Sequence, residues 1–215
     1  MKLSNIIAAS AISLFSLTSA NAASITYVMN FANELADGPN YGTVTISDGA
    51  DASNAEYVDF SVEIIGSEFA PFGDNFGMDS FYFNASDSVT VTEANIIDID
   101  PASWDINFNK NAGGGYGFFD IQSKGDGGSR TLNLSFSIAN IIGDTIADYS
   151  LPGEEGYWFA AHVGGFGEDG ELSSKIAGRG GLRTDTPPVP VPAAVWLMGS
   201  ALGALGFSRR KKTQS

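Results

Sequence analysis

The sequence predicts an all-β domain, an antiparallel two-sheet sandwich of jelly-roll-like type. Three observations predict it: strict two-residue alternation of apolar and polar side chains, many glycines in turn-forming clusters, and no long segment with helical periodicity. In residues 57–64, the even-numbered side chains are apolar, while Asp59, Ser61 and Glu63 between them are polar. Such alternation is typical of a strand with one buried and one wetted face. Short strands separated by polar turns favour a sandwich.

The predicted domain spans residues 23–176. The predicted strands are 24–31, 41–46, 57–64, 81–84, 89–92, 104–108, 118–121, 131–138 and 157–163. Clusters rich in Gly, Asp and Asn lie between them and predict turns. One short helix is predicted over 141–149, with Asp144 as its N-cap. Residues 177–192 are poor in large apolar side chains until the prolines begin, so they are interpreted as a linker that ends in a proline-rich motif.

The charge of the chain is distributed unevenly. Residues 23–186 contain all 25 acidic residues but only six of the 11 basic ones, which gives this part a net charge of −19. A surface of that sign repels phosphate backbones, so nucleic acid is excluded as a partner. The chain contains no cysteine, which excludes thiol catalysis, thiolate metal sites and disulfides.

The N-terminal residues 1–22 have the features of a signal peptide. Lys2 supplies a basic start, and a mostly apolar run follows from Ile6 to Leu17. Ala20 and Ala22 then form the small-x-small pattern that signal peptidase recognises. We therefore expect export across the inner membrane and cleavage after Ala22.

The C-terminal residues form a second signal in three parts. Prolines occupy much of 187–192, an apolar run covers 193–207, and the tail 208–215 contains four consecutive basic residues, Arg209 to Lys212. The apolar run together with the end of the proline segment has about the length of a short spanning helix. Basic residues next to a span stay in the cytoplasm, so we expect a membrane anchor with the acidic domain outside.

This order of parts resembles the PEP-CTERM sorting domains of Gram-negative bacteria, and more closely their variant with a Val-Pro-x-Pro-Ala core. The matching residues are Val189, Pro190, Val191, Pro192, Ala193, Arg209, Arg210, Lys211 and Lys212. The resemblance implies that a membrane-embedded exosortase recognises the tail, cuts near the prolines and passes the domain to the cell envelope or the medium. It also implies a connection with exopolysaccharide and biofilm production.

The domain itself is predicted not to be an enzyme. His162 is the only histidine, and no Gly-x-Ser-x-Gly motif accompanies it, so it is interpreted as structural or surface-exposed. Acidic neighbours such as Glu154 and Glu155 lie in glycine-rich loops, where solvated turn residues are the ordinary interpretation. A secreted hydrolase is a third alternative, and it requires a cleft with two close carboxylates or a serine beside His162.

Calcium is considered as a cofactor because it binds the oxygen atoms that acidic loops supply. The candidate ligand groups are Asp48 with Asp51, Asp98 with Asp100, and Glu168 with Asp169 and Glu171. None of them matches the EF-hand loop pattern. The metal ligands are therefore left open, with Ca²⁺ as the only metal considered.

Three aromatic residues are candidates for stacking on sugar rings. Tyr116 and Phe166 are flanked by glycines and are expected on exposed loops. Trp158 is the third candidate. The leading prediction for the whole protein is a structural or adhesive role in the cell envelope or extracellular matrix. The second prediction is a carbohydrate-binding module, with Ca²⁺ as a candidate aid.

Overall fold

The structure is a computed structural model that describes residues 23–50, 56–70, 76–167, 169–180 and 183–185. Twelve strands and one short helix are present in these ranges. The strands are β1 (Ser24–Met29), β2 (Phe31–Ala32), β3 (Gly42–Ala50), β4 (Glu56–Ile64), β5 (Gly77–Phe83), β6 (Ile96–Asp100), β7 (Asp105–Asn111), β8 (Phe118–Lys124), β9 (Asn133–Ala139), β10 (Phe159–Phe166), β11 (Leu172–Gly178) and β12 (Arg183–Asp185). Helix α1 covers Gly66–Phe69, and two 3₁₀ turns cover Glu93–Asn95 and Ile146–Tyr149.

The strands form two antiparallel sheets. The first has the order β12-β1-β3-β4-β9-β6, and the second has the order β2-β11-β10-β5-β8-β7. The prediction of an all-β fold built from two antiparallel sheets is therefore confirmed. The strand order is a finding of the structure, since alternation gives the faces of a strand but not its neighbours.

The core lies between the two sheets and is rich in phenylalanine. Phe60 of β4 has its ring centroid 4.6 Å from that of Phe136 in the same sheet and 4.8 Å from that of Phe83 in the other sheet. All three side chains are buried. Aromatic pairs at these distances stabilise a core beyond the area that they bury, so this group ties the two sheets together.

A second, smaller apolar cluster covers the outer face of the second sheet. Ala160 and Ala177 belong to it, and they alternate along their strands with core residues such as Ala161 and Ile176. The loop between β7 and β8 folds back over these alanines and places Tyr116 on them. The second sheet is thus covered on both faces in this region.

The structure corrects several element predictions. Residues 89–92 alternate as a strand would, but they form no strand; Val89 and Val91 pack against the core from a loop. The helix predicted over 141–149 is a 3₁₀ turn at Ile146–Tyr149 whose N-cap is Thr145. Asp144, the predicted cap, instead accepts a hydrogen bond of 2.6 Å from the Tyr149 hydroxyl.

Strands β6, β11 and β12 were not predicted, and the single strand predicted over 24–31 is divided at Asn30 into β1 and β2, which belong to different sheets. The segment predicted as linker, 177–192, begins with the last two residues of β11 and also contains β12, which pairs with β1. The signal peptide, the sorting motif, the apolar run and the basic tail lie outside the described residues. Within the described ranges, no helix has the length and apolar character needed to cross a membrane.

Candidate ligand groove

Two of the three predicted sugar-stacking residues are buried, which corrects their assignment. Tyr116 is only 4% exposed, and its ring packs edge-on against Tyr157 at a centroid distance of 4.7 Å. Gly113, Gly114 and Gly115 all have positive φ, which lets the loop turn back and press Tyr116 onto the sheet. A ring enclosed in this way has no free face for a sugar.

Phe166 is buried for a different backbone reason. It is 2% exposed and lies between Gly165 and Gly167, which have φ values of 89° and 88°. The pairing of β10 with β11 shifts register at this point, so a β-bulge rotates Phe166 into the core beside Phe69. The glycines that indicated an exposed loop are thus the device that buries the ring.

Trp158, the third predicted stacking residue, is partly buried. Its ring lies 5.4 Å from the ring of Tyr27, and the backbone of Gly180 lies so close to it that even a Cβ there would clash. The indole thus contacts the ring of Tyr27 and lies beside the backbone of Gly180. Tyr116 and Phe166 offer no open aromatic face, and Trp158 is not a freely exposed ring.

An exposed ring lies elsewhere, at the start of β8. Phe118 is 51% exposed and forms part of the wall of a groove of about 720 Å³. Two loops enclose the other walls: residues 84–87, which follow β5, and residues 151–154, which precede β10. A sequence signal for Phe118 exists, because it belongs to the alternate positions of β8 that are otherwise polar: Asp120, Gln122 and Lys124. An aromatic residue on the polar parity of a strand is the exception that indicates exposure.

Hydrogen bonds hold the floor of the groove in place. Asn84 donates from Nδ2 to the Leu151 carbonyl at 3.3 Å and accepts at Oδ1 from the Asp120 backbone N–H at 3.3 Å. Asp120 in turn accepts at Oδ2 from the backbone N–H of Ala85 at 3.0 Å. Asn84 thereby connects the two loops with β8, and it is itself buried.

The loop after β5 also forms hydrogen bonds with Asp148 in the 3₁₀ turn at Ile146–Tyr149. The hydroxyl of Ser88 donates to Asp148 Oδ1 at 2.9 Å, and the Ser86 N–H donates to the Asp148 carbonyl at 2.7 Å. Partial desolvation acts to raise the pKa of Asp148, but hydrogen bonds to its carboxylate from the Ser88 hydroxyl, the Thr145 N–H and hydroxyl and the Ser86 side chain together lower it. A loop held at both ends presents its side chains with little conformational freedom to lose on binding.

The groove is acidic and continues into a second depression. Asp87, Asp120 and Glu154 line it, and no lysine or arginine is among its lining residues. A neighbouring depression of about 310 Å³ shares Asp87 and Asp120 and is lined on another side by Phe108, which is 40% exposed. Two exposed phenylalanines therefore lie on one continuous surface that contains Asp120.

His162 lies outside this groove, on the outer face of β10. Its Nδ1 is 2.7 Å from Asp79 Oδ1, and Asp79 also accepts a hydrogen bond of 3.0 Å from the Ser80 hydroxyl. Asp79 occupies a β-bulge in β5, where the pairing with β10 shifts register. No described serine hydroxyl is hydrogen-bonded to His162, so the described residues do not form the serine–histidine contact that is one of the two arrangements required by the hydrolase alternative.

The environment of Asp79 keeps its carboxylate ionised. Partial burial acts to raise the pKa of Asp79, but the hydrogen bond and charge of His162, the Ser80 hydroxyl and the nearby Arg130 together bring it below the ordinary value. The contact between His162 and Asp79 joins β5 to β10, and it is the only pair of described acidic and basic side chains within salt-bridge distance. The contact thus links two neighbouring strands of the second sheet on its outer face.

The calcium candidates remain dispersed in the part of the chain that the structure describes. Asp98 and Asp100 belong to edge strand β6, and Asp48 belongs to β3. No group of three or more described Asp, Glu or His side chains is arranged to hold a metal ion. Asp51 and Glu168 lie outside the described residues, so the calcium prediction stays a prediction.

No protein-family model, curated protein or solved structure matches the chain. The function of the domain is therefore inferred from its groove, its charge and the residue patterns at its two ends.

Proposed function

We propose that the protein is exported, sorted by an exosortase and delivered to the cell envelope or extracellular matrix, where its domain has a structural or adhesive role in exopolysaccharide or biofilm. The observation that carries this proposal is the order of parts in residues 187–215: a proline motif, an apolar run and a basic cluster. The signal-peptide pattern in residues 1–22 supports the same route. Before processing, the protein is anchored in the inner membrane by residues 193–207.

A non-catalytic role agrees with the body of the protein. An acidic, cysteine-free domain suits a location outside the cell, where charge keeps it soluble without disulfides. We also propose the finer fold assignment, a jelly roll. It is supported by nested pairing of early with late strands: β1 with β12, β2 with β11, β4 with β9 and β5 with β8, with successive pairs in alternate sheets.

The sorting proposal is tested by changing the proline motif. In the native host, the double variant Pro190→Ala/Pro192→Ala should remain in the membrane with its tail intact, because the exosortase recognises that motif. The matched control is Pro187→Ala/Pro188→Ala, which alters the adjacent prolines outside the matching core. Mass spectrometry of the accumulated protein shows whether the chain has been cut after Ala22 and whether it has been cut near the proline motif. Release of the Pro190/Pro192 variant with the mass of the wild type would refute the role of the exosortase.

A second candidate function, carbohydrate binding, is favoured by one specific observation. Phe118 presents about half of its surface in a groove whose walls carry carboxylates and amides. Aromatic faces stack on the apolar faces of sugar rings, and carboxylates accept hydrogen bonds from their hydroxyls. Calcium remains a candidate aid, and it is tested by measuring binding to the host's polysaccharide with and without a chelator. Loss of binding in the chelator would support a calcium-assisted site.

A further inference from the structure

Two exposed phenylalanines on one surface are unusual for this protein, since nearly all of its other described aromatic rings are buried or packed. Phe118 and Phe108 are the exceptions, with 51% and 40% of their surface exposed. They line two depressions that meet at Asp87 and Asp120. Grouped exposed apolar side chains with a polar rim mark a binding surface rather than ordinary surface scatter.

The polar groups of this surface fit sugar hydroxyls. Asp87, Asp120 and Glu154 are exposed at the walls, and Asn109 of β7 adds an amide. An ionised carboxylate only accepts hydrogen bonds, while a sugar hydroxyl donates one, so the two are complementary. The backbone contacts of Asp120 and Asn84 fix this arrangement before any ligand arrives, which lowers the entropic cost of binding.

The charge of the surface restricts the class of sugar. The depressions contain acidic side chains but no lysine or arginine to neutralise a carboxylate, sulfate or phosphate on the ligand. Like charges in direct apposition oppose association, and the net charge of −19 on residues 23–186 acts in the same sense. An acidic polymer is therefore disfavoured here, while an uncharged one meets no such penalty.

We propose that the surface formed by Phe118, Asp120, Asp87 and Phe108 binds an uncharged polysaccharide, with each phenylalanine as the platform of a separate sugar subsite. This inference rests on the carbohydrate-binding function proposed above and adds to it the place, the charge class and the extent of the ligand. Phe118 lines the larger depression and Phe108 lines the neighbouring one, and the two depressions share Asp87 and Asp120 as lining residues. Rings in two such adjoining depressions contact different residues of one chain.

Affinity electrophoresis tests the proposal on the protein purified from its host in the form that the host accumulates. The host's extracellular polysaccharide is separated by anion exchange into an uncharged and an acidic fraction, and each is cast into native gels with EDTA. The uncharged fraction should retard the wild type. Phe118→Ala should weaken this retardation about tenfold in apparent Kd, which corresponds to the loss of one stacked ring.

Chain length separates the two platforms. Fragments of the uncharged polymer, sorted by size, are used as competitors in the same gels. Phe118→Ala should weaken the competition of short and long fragments alike, whereas Phe108→Ala should weaken it only for fragments long enough to reach both rings. Leu172→Ala removes an exposed apolar side chain (55% exposed) from another part of the surface and should leave retardation unchanged.

Each outcome bears on the proposal. If the wild type is retarded and both phenylalanine variants behave like it, the protein binds carbohydrate but not on this surface, and only the present inference fails. If the uncharged fraction does not retard the wild type, both the inference and the carbohydrate-binding function fail, while sorting by the exosortase is judged separately from the mass of the tail. Equal effects of Phe118→Ala and Leu172→Ala would show that the loss is unspecific. Preferential retardation by the acidic fraction would refute the assignment of charge class.

Discussion

Two aromatic residues that are nearly neighbours in sequence should respond to substitution in opposite ways. Tyr116 is enclosed in the cluster on the outer face of the second sheet, while Phe118 stands half-exposed in the groove. We predict that Tyr116→Ala mainly lowers the stability of the fold and that Phe118→Ala mainly lowers the binding of polysaccharide. The comparison tests directly whether the structural correction of the predicted sugar-stacking residues is right.

The expected magnitudes follow from burial. Truncating a buried aromatic side chain to alanine costs about 3–5 kcal/mol, because its transfer energy is lost and a cavity remains. Tyr116 also donates a hydrogen bond to the Lys175 carbonyl, at a long distance of 3.3 Å. Phe118 buries only about half of its surface, so its truncation should cost about 1 kcal/mol. Tyr116→Phe keeps the ring and should cost less than about 1.5 kcal/mol.

The assay is urea unfolding followed by circular dichroism at neutral pH. With a denaturant slope of about 2 kcal/mol/M, Tyr116→Ala should lower the unfolding midpoint by about 2 M, and Phe118→Ala by about 0.5 M. In binding to the uncharged polysaccharide, Phe118→Ala should instead show the larger loss of affinity. Binding is measured under conditions in which each variant is folded. A midpoint for Tyr116→Ala within about 0.5 M of the wild type would refute the enclosed position of its ring.

Three further predictions concern the core, the buried Tyr149 and the partly buried Asp79. Phe60→Ala should lower the free energy of unfolding by about 3–5 kcal/mol, because the Phe60 ring contacts aromatic rings of both sheets. The control Glu63→Gln, at an exposed position in the same strand, should change it by less than about 0.5 kcal/mol. Similar urea midpoints for the two variants would contradict the central position of Phe60. Burial, together with the hydrogen bond to Asp144 and its charge, raises the pKa of Tyr149 above the ordinary 10.0, so the stability that this group contributes is complete below pH 10 and is lost as the pH rises beyond it. Tyr149→Phe should therefore show a flatter decline in thermal midpoint above pH 10, and an unchanged slope would exclude this contribution. The lowered pKa of Asp79 implies stability that is present above pH 3.8 and is lost as the pH falls through the lower folded value, so the difference in urea midpoint between the wild type and Asp79→Asn should shrink below about pH 4; a constant difference would mean that the carboxylate charge contributes nothing.

Alternation in the sequence predicted those strands that bury one complete apolar face. β4 and β9 are examples, since each places three or four large side chains in the core. β11 escaped prediction because it turns Ser174 inward and packs only Ala177 outward, so its apolar signal is weak. Residues 89–92 show the converse error. Their alternation is real, but a strand also needs a partner for its backbone hydrogen bonds, and no short pattern reveals whether one is available.

The expectation that Tyr116 and Phe166 are exposed is wrong because glycine-rich neighbours do not by themselves indicate exposure. Glycine permits positive φ, and positive φ can turn a chain inward as readily as outward. The glycines before Tyr116 fold their loop onto the sheet, and those around Phe166 form a bulge that points its ring into the core. Phe118 is exposed without such a device, because a strand residue on the polar parity faces outward. Parity within a strand was thus the better indicator of an available ring, and it required knowing that 118–124 forms one strand.

The charge of the protein limits which matrix polymer can be its partner, and it separates the two binding hypotheses. Carboxylates on both protein and polymer repel each other within a screening length of about 8 Å at physiological salt. An acidic polysaccharide could associate with this domain only if a divalent cation bridged the two sets of carboxylates, so its binding would require calcium and would not depend on Phe118. An uncharged polysaccharide needs no bridge, and its binding would persist in EDTA and weaken when the ring of Phe118 is removed. A measurement that finds binding in EDTA but none after Phe118→Ala therefore locates an uncharged partner on the groove.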